Sequence, residues 1–336
     1  MLIVANPPQS RAILGAMRAI ADADGANTLT DADRHTLVAA GRYGLGLDRP
    51  VDPDAVLPVT PAELALALDG SGTEDFATRF CAVMALVDGT IDDKKLEFVA
   101  AYASALGLTA DYVAELAETA RGHVTEALAD MTRQNLLSVT GREWNLDDAS
   151  GWLLPYEGDQ ATPELTARYQ ELGALAEGTL GRAFYDWYTG HGFAFPGTPG
   201  ALNEAFATPH DSTHILSGYS TTPQGELLVS TFTAGMHPEE PMEGHILPVI
   251  YSWHLGVKIN DVAGSFHGAL DPEKFFVAWD RGAATTGDFF ARDWDFWTTA
   301  ARSVEDLRRE MTVPDLDPAD AANSDGTEGP DYHPIA

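Results

Sequence analysis

Cysteine is nearly absent: Cys81 is the single one in 336 residues. That excludes an intramolecular disulfide and any zinc cluster built from thiolates. Basic residues are scarce as well, with 20 Lys and Arg against 51 Asp and Glu, a formal charge of −31. A chain without a basic stripe to neutralise phosphates argues against nucleic acid as a partner. The same imbalance disfavours docking on an anionic lipid surface and leaves at most peripheral membrane contact. Long apolar runs are missing, and the start, Met1-Leu2-Ile3-Val4-Ala5-Asn6-Pro7-Pro8, carries no basic n-region. Neither a membrane span nor a signal peptide is expected, and the expected location is cytoplasmic. The templates Gly-x-Ser-x-Gly, Gly-x-x-x-x-Gly-Lys and His-Glu-x-x-His do not occur. Gly44-Leu45-Gly46 lacks the third glycine and the preceding strand of a dinucleotide-binding fold.

What is present is helical periodicity. Phe76, Phe80, Val83 and Val87 recur at helical spacing, as do Leu96, Val99, Tyr102 and Leu106. Asp92 is placed to cap the second of these helices, with Ile91 and Leu96 as staple partners, and Gly107 ends it. Leu227–Phe232 suits a short strand, but Glu226 to Met236 fits a helix between Gly225 and Pro238 equally well. No convincing strand alternation occurs elsewhere, so the fold class expected is all-α. Two helical domains are expected, 1–140 and 165–314, each able to bury its own core. Between them, 141–164 reads as a connector in which Trp144, Trp152 and Tyr156 sit among glycines, prolines and acids. The end, 315–336, holds Asp315, Asp317, Asp320, Asp325, Glu328 and Asp331 without a basic residue and reads as a disordered acidic tail.

A faint repeat runs through the first domain. Met17-Arg-Ala-Ile-Ala-Asp-Ala-Asp-Gly25 and Val83-Met-Ala-Leu-Val-Asp-Gly89 each lead through an acidic turn into a second helix, closing at Gly46-Leu47 and Gly107-Leu108. This pattern resembles the tellurite-resistance TerB-like helical domain, best over residues 75–118. An EF-hand register from Asp22 fails at Asn27, where glycine is wanted, and at Asp33, where a bidentate glutamate is wanted. Plain helix–turn capping is the expectation for both turns.

The chemistry-bearing stretch is His210-Asp211-Ser212-Thr213-His214, with eleven residues intervening before Glu226. On a helix over 209–217, His210 and His214 project from one face. Asp211 lies about 60° round the cylinder from His214, close enough to reach the same ion. Two imidazoles and two carboxylates suit zinc, manganese, iron or cobalt. The competing reading is a capped helix start, with Thr208 as N-cap, Pro209 at N1 and Asp211 at N3 of a weak capping box. Spacing alone leaves both open.

The wider context adds a resemblance. His-Asp-x-x-His, eleven residues, then Glu resembles the signature of the Coq-four family of ubiquinone-biosynthesis proteins. Gly178-Thr179-Leu180-Gly181-Arg182-Ala183-Phe184-Tyr185, Thr222-Pro223-Gln224-Gly225-Glu226-Leu227 and Trp294–Leu307 are similar to further segments of that family, so the likeness covers roughly 165–313. It departs from the family in Ser212 and Thr213, where bulky residues are usual, and in a shortened approach from Phe195 to His210. The resemblance implies an all-helical fold, a divalent metal held by His210, Asp211, His214 and Glu226, and a prenylated aromatic quinone precursor as partner. The activity it implies is oxidative removal of the ring carboxylate at C1, leaving a hydroxyl, and those four residues are also the candidate catalytic ones. It leaves room for a homodimer and for other quinone-biosynthesis proteins as partners.

Ile246, Leu247, Val249, Ile250, Trp253, Leu255, Phe266, Phe275 and Phe276 could line a prenyl tunnel or simply form core. His237, His245, His254 and His267 are candidates for a general base, none with diagnostic spacing. Two other functions stay open. One is a non-catalytic carrier that presents a prenylated intermediate to other enzymes. The other is an HD-type phosphohydrolase recruiting His191 and Asp261, which leaves His214 and Glu226 unexplained.

Overall fold

A computed structural model describes residues 2–23, 25, 28–141, 143, 162–258 and 264–322. Helices α1 (Pro7–Ala21) and α2 (Asp31–Ala39) open the chain, the latter running into a π turn, Ala40–Gly44. Then follow α3 (Pro61–Leu68), α4 (Glu74–Leu86), α5 (Asp93–Ala105), α6 (Asp111–Ala120) and α7 (Val124–Thr140). After residue 162 come α8 (Pro163–Glu171), α9 (Leu180–His191), α10 (Glu204–Ser217) and α11 (Pro223–Met236). Next is a π-wound segment, in which Pro241–Ile246 and Ile250–His254 flank Leu247–Val249. The chain continues through α12 (Pro272–Ala284), α13 (Phe296–Thr299), α14 (Val304–Glu310) and α15 (Pro318–Ala321). The fold is all-α. Among the described residues the only β pairings are isolated bridges, Thr179 with Ser303 and Leu255 with His267. No helix among them is long and apolar enough to cross a membrane.

Local chemistry explains where the helices begin. Asn6 and Gln9, Thr30 and Asp33, and Thr60 and Glu63 form reciprocal capping boxes that satisfy first-turn N–H groups. Asp92 caps α5 as expected, accepting from the N–H groups of Lys94 and Lys95. The repeat pattern takes shape as α1–turn–α2 and α4–turn–α5. The turn acids are engaged by cations: Asp22 by Arg18 at 2.7 Å and Asp88 by Lys95 at 2.6 Å. These contacts suit turn capping rather than a calcium loop.

The two halves do not bury separate cores, contrary to the sequence-based expectation. Buried apolar residues from both form one cluster, reaching from Ile13 and Phe80 to Phe232, Phe276 and Trp279. Phe80 meets Phe276 edge-on at 5.2 Å and Trp279 at 5.7 Å. Polar contacts cross as well. The Tyr112 N–H donates to Glu243 at 2.9 Å, the Tyr251 hydroxyl to Thr119 at 3.0 Å, and His254 Nε2 lies 3.0 Å from the Val87 carbonyl. The physical reason is amphipathicity: α2, α4 and α7 carry apolar faces that their own half does not cover.

Helices α11 and α12 pack together more extensively than any other pair among the described residues. Glycines permit it. A Cβ at Gly282 would stand 2.0 Å from the Phe232 carbonyl oxygen, and one at Gly235 would stand 2.4 Å from that of Trp279. The connector expected over 141–164 falls almost wholly outside the described residues, as do Asp261 and positions 323–336. The first part of the expected disordered tail is instead folded. Arg281 donates to the Pro314 carbonyl at 2.6 Å, Leu316 lies against Gly218, and Asp317 caps α15.

Candidate metal centre

Helix α10 carries the His-Asp-x-x-His residues, but it begins earlier than expected. Asn203, not Thr208, is its N-cap, accepting from the Ala205 N–H at 3.0 Å. Pro209 lies inside the helix, where its missing N–H forfeits one backbone bond. Thr208 is a buried residue whose hydroxyl pairs with Tyr169 at 2.6 Å. Asn203 and Glu204 form a start signal as strong as Thr-Pro, and the aromatic contacts of Phe206 add a turn. The reading of Asp211 as an N3 capping acid therefore falls away, and its carboxylate faces inward.

The far end of α10 is held by two arginines. Arg308 donates to the carbonyls of Leu216 at 2.8 Å and Ile215 at 2.7 Å, and Arg281 to that of Ser217 at 2.9 Å. Both satisfy last-turn carbonyls and complement the negative end of the helix dipole. Gly218, with φ of 90°, turns the chain out of the helix. Thr222 caps α11, and Gly225 lets that helix start against the turn. A Cβ at Gly225 would sit 2.0 Å from the Ser220 carbonyl oxygen. This tight return brings Glu226, in the first turn of α11, opposite the α10 imidazoles.

There the donors converge. His210, Asp211 and His214 each offer a ligand atom within 4.8 Å of the other two, so the cluster could hold a metal ion. The two Nε2 atoms stand 3.2 Å apart. Glu226 spans them, with Oε2 3.2 Å from His210 Nε2 and Oε1 3.5 Å from His214 Nε2. Bonds of about 2.0–2.2 Å to one cation put neighbouring ligand atoms roughly 3.0–3.5 Å apart at octahedral or tetrahedral angles. The donor set fits. His214 Nδ1 lies 3.0 Å from the Tyr219 carbonyl, which can only accept. Nδ1 therefore carries a proton, and Nε2 faces the cluster, where it donates to Glu226 when protonated and offers a lone pair to a cation when not. Trp187 stacks on His214 at 5.4 Å and Phe206 on His210 at 5.3 Å, fixing both rings. The Tyr188 hydroxyl donates to Asp211 Oδ2 at 2.5 Å.

Electrostatics follow from this packing. Burial opposes ionisation of Glu226, but the field of His214 and hydrogen bonds from both imidazoles overcome it and hold the carboxyl well below the usual range. Burial likewise opposes the charged form of His214, and Glu226 outweighs it, so the imidazole is raised. Asp211 goes the other way. Burial dominates there and pushes it up against His210, His214 and the Tyr188 hydrogen bond.

A cavity of about 270 Å³ opens over the cluster. His210, Asp211 and Glu226 line it, with walls from Phe193, Leu202, Phe206, Val249, Trp253 and Phe290. Met131, Thr132 and Asn135 of α7 complete it, so the first half of the chain shapes the site. That contribution was not legible in sequence, nor was the role of Tyr188. Of the nine expected tunnel residues, Val249 and Trp253 line this cavity. Ile246, Leu247, Ile250, Phe275 and Phe276 are fully buried core, Leu255 is half-buried, and Phe266 is exposed.

The four candidate histidines also separate. His254 is structural, with Nε2 on Val87 and Nδ1 accepting from the Leu270 N–H at 3.2 Å. His237 Nδ1 is 2.8 Å from Asp288, His267 is exposed, and His245 lines the cavity. His191 Nδ1 lies 2.7 Å from the Trp187 carbonyl. No family model, curated protein or solved structure matches this chain.

Proposed function

We propose that the protein is a divalent-metal-dependent enzyme acting on the head group of a prenylated aromatic quinone precursor. Its metal ligands are His210, Asp211, His214 and Glu226. The reaction is oxidative removal of the ring carboxylate at C1. The carboxyl carbon leaves as carbon dioxide, and one oxygen of dioxygen becomes the new hydroxyl. The other oxygen leaves as water, with two electrons and two protons from an external reductant. The observation that carries this reading is the convergence of two imidazole Nε2 atoms and Glu226 within 3.2–3.5 Å on the floor of a cavity with apolar walls. The motif resemblance to the Coq-four family supplies the substrate class.

A cation held there supplies a positive centre for a phenolate or carboxylate and for charge developing on the ring. The chain's own residues do the rest. The Tyr219 carbonyl fixes the tautomer of His214. Tyr188 orients Asp211, and Glu226 stays ionised between the imidazoles. Phe193, Phe206 and Phe290 offer faces and edges for an aromatic ring and exclude water from it.

The test is aerobic incubation of metal-loaded protein and reductant with a prenylated 4-hydroxybenzoate, followed by mass spectrometry. Wild type should give the decarboxylated, C1-hydroxylated product, and Glu226→Gln should not. Intact substrate retained by both proteins at one per chain, with no product, rejects the enzyme in favour of a carrier.

A further inference from the structure

The cavity over the candidate metal centre has a second polar pole at His245. Its backbone carbonyl accepts from the Ser230 hydroxyl at 2.9 Å. Ser230 stands one turn beyond Glu226 on α11, a rise of about 6 Å, and both line the cavity. The imidazole Nε2 lies 2.7 Å from the Ser138 hydroxyl of α7, a fully buried contact. With Nε2 so engaged, Nδ1 is the ring nitrogen left for a ligand, and it has no hydrogen-bond partner among the described residues.

No carboxylate among the described residues pairs with His245. Its other ring neighbours are the edges and faces of His237 at 5.8 Å and Phe290 at 5.4 Å. The imidazole is therefore neutral, and burial pushes it down to about 3. A neutral ring here can pair in either tautomer. When Nε2–H donates to Ser138, Nδ1 accepts; when the Ser138 hydroxyl donates to Nε2, Nδ1–H donates. A hydroxyl satisfies both cases, whereas an ether or carbonyl oxygen satisfies one.

We propose that His245 is the specificity residue that reads a hydroxyl on the ring of the bound aromatic acid, while the acid's anionic group sits at the His210–Asp211–His214–Glu226 cluster. This rests on the head-group reading of the site and assigns to one residue the selection of a ring hydroxyl. A site built to pair a substrate hydroxyl discriminates against the analogue lacking it more strongly than an apolar wall can.

The experiment is calorimetric titration of purified full-length protein, with zinc in the buffer, using 4-hydroxybenzoate, 4-methoxybenzoate and benzoate. Wild type should bind 4-hydroxybenzoate at least about tenfold more tightly than the other two. His245→Leu should lose that preference while keeping its metal and its affinity for benzoate. His245→Asn, which keeps a polar atom at the δ position, should restore part of it, and Ser138→Ala should weaken it. If His245→Leu does not fold, the last two variants carry the test. A preference unchanged in all the variants that fold, or absent in wild type that binds all three acids, overturns the role of His245 and leaves the head-group reading standing. Wild type that binds none of the three overturns the head-group reading and this inference together.

Discussion

Glu226 and Glu115 are both glutamates sunk into helix packing, and burial pushes each toward its neutral form. Glu226 faces two imidazoles and stays ionised, held well below the usual range. Glu115 on α6 is 3% exposed, and neither of its carboxylate oxygens has a hydrogen-bond partner among the described residues. Its surroundings, Glu243, Asp130 and Asp111, repel a second charge more than Arg133 relieves it, and together with burial they push it up to about 9. A buried acidic cluster is thus not a cation site in itself. It becomes one when imidazoles hold the acid ionised and turn nitrogens toward a common centre, where a cation can replace their protons. Asp88 marks a half-buried version, where Lys95 has already supplied the positive charge.

The largest effect should come from removing the partner that makes the difference. His214→Ala takes away a fully buried imidazole and leaves Glu226 facing one base instead of two. Breaking a buried pair costs about 3–5 kcal/mol. Metal content should fall from about one ion per chain to background, read by elemental analysis beside a urea melt. In the metal-free protein Glu226 and His214 set the pH dependence of this pair. Glu226 is depressed, so its contribution is present above the ordinary value of 4.5 and lost as pH falls through the folded value. His214 is raised, so its contribution is present below 6.5 and lost as pH rises through its folded value. The gap between wild type and variant should therefore be widest between those two limits. Wild-type metal content in the variant would break the comparison at its centre.

Glu115→Gln tests the other arm. A glutamate raised in the folded state contributes full stability below its ordinary value of 4.5 and loses it progressively as pH rises toward about 9. Glutamine keeps the shape and cannot ionise, so the variant should match wild type near pH 4 and become the more stable protein above it. The gain grows by at most about 1.4 kcal/mol per pH unit, giving roughly 3 kcal/mol at neutral pH. Melts across pH 4–9 would show it. Parallel curves would mean that Glu115 is ionised, paired by something outside its described surroundings.

How much of this was readable from the chain depends on range. Local signals were legible: Asp92 as a cap, Gly107 as a stop, the helical spacing of Phe76 to Val87, and the i, i+4 pair His210 and His214. Each is decided within a turn or two. Thr208-Pro209 misled because Asn203-Glu204, one turn upstream, offers an equally good start. The joint between the halves was not legible. Phe80 against Phe276 and Ser138 against His245 join positions far apart in the chain, and an apolar face on a helix does not say which partner covers it. Glu226 was placed by motif spacing. Tyr188 was hidden in the aromatic run Phe184-Tyr185-Asp186-Trp187-Tyr188, where nothing local separates a core ring from a hydrogen-bonding one.

Tyr188 gives the smallest and most discriminating test, because it asks whether a single hydrogen bond can move one acid of the cluster toward the fate of Glu115. Its hydroxyl donates to Asp211 Oδ2 at 2.5 Å, and this is one of the influences that oppose the upward push of burial on that carboxyl. Tyr188→Phe keeps the ring stacked between Phe184, 4.5 Å away, and Phe195, 5.1 Å away, so the core should hold. The lost bond is one to a charged group, worth about 1.5–3 kcal/mol. Asp211 should then stay protonated to higher pH, and metal retention should weaken about 10- to 100-fold, as expected for a hydrogen-bond partner of a ligand. Competition with a chelator at pH 6 and pH 8 reads both effects at once. The loss should be greater at pH 6, where the unsupported carboxyl is more fully protonated. An equal loss at both pH values would mean that Tyr188 acts by packing alone, and no loss at all would remove Asp211 from the ligand set.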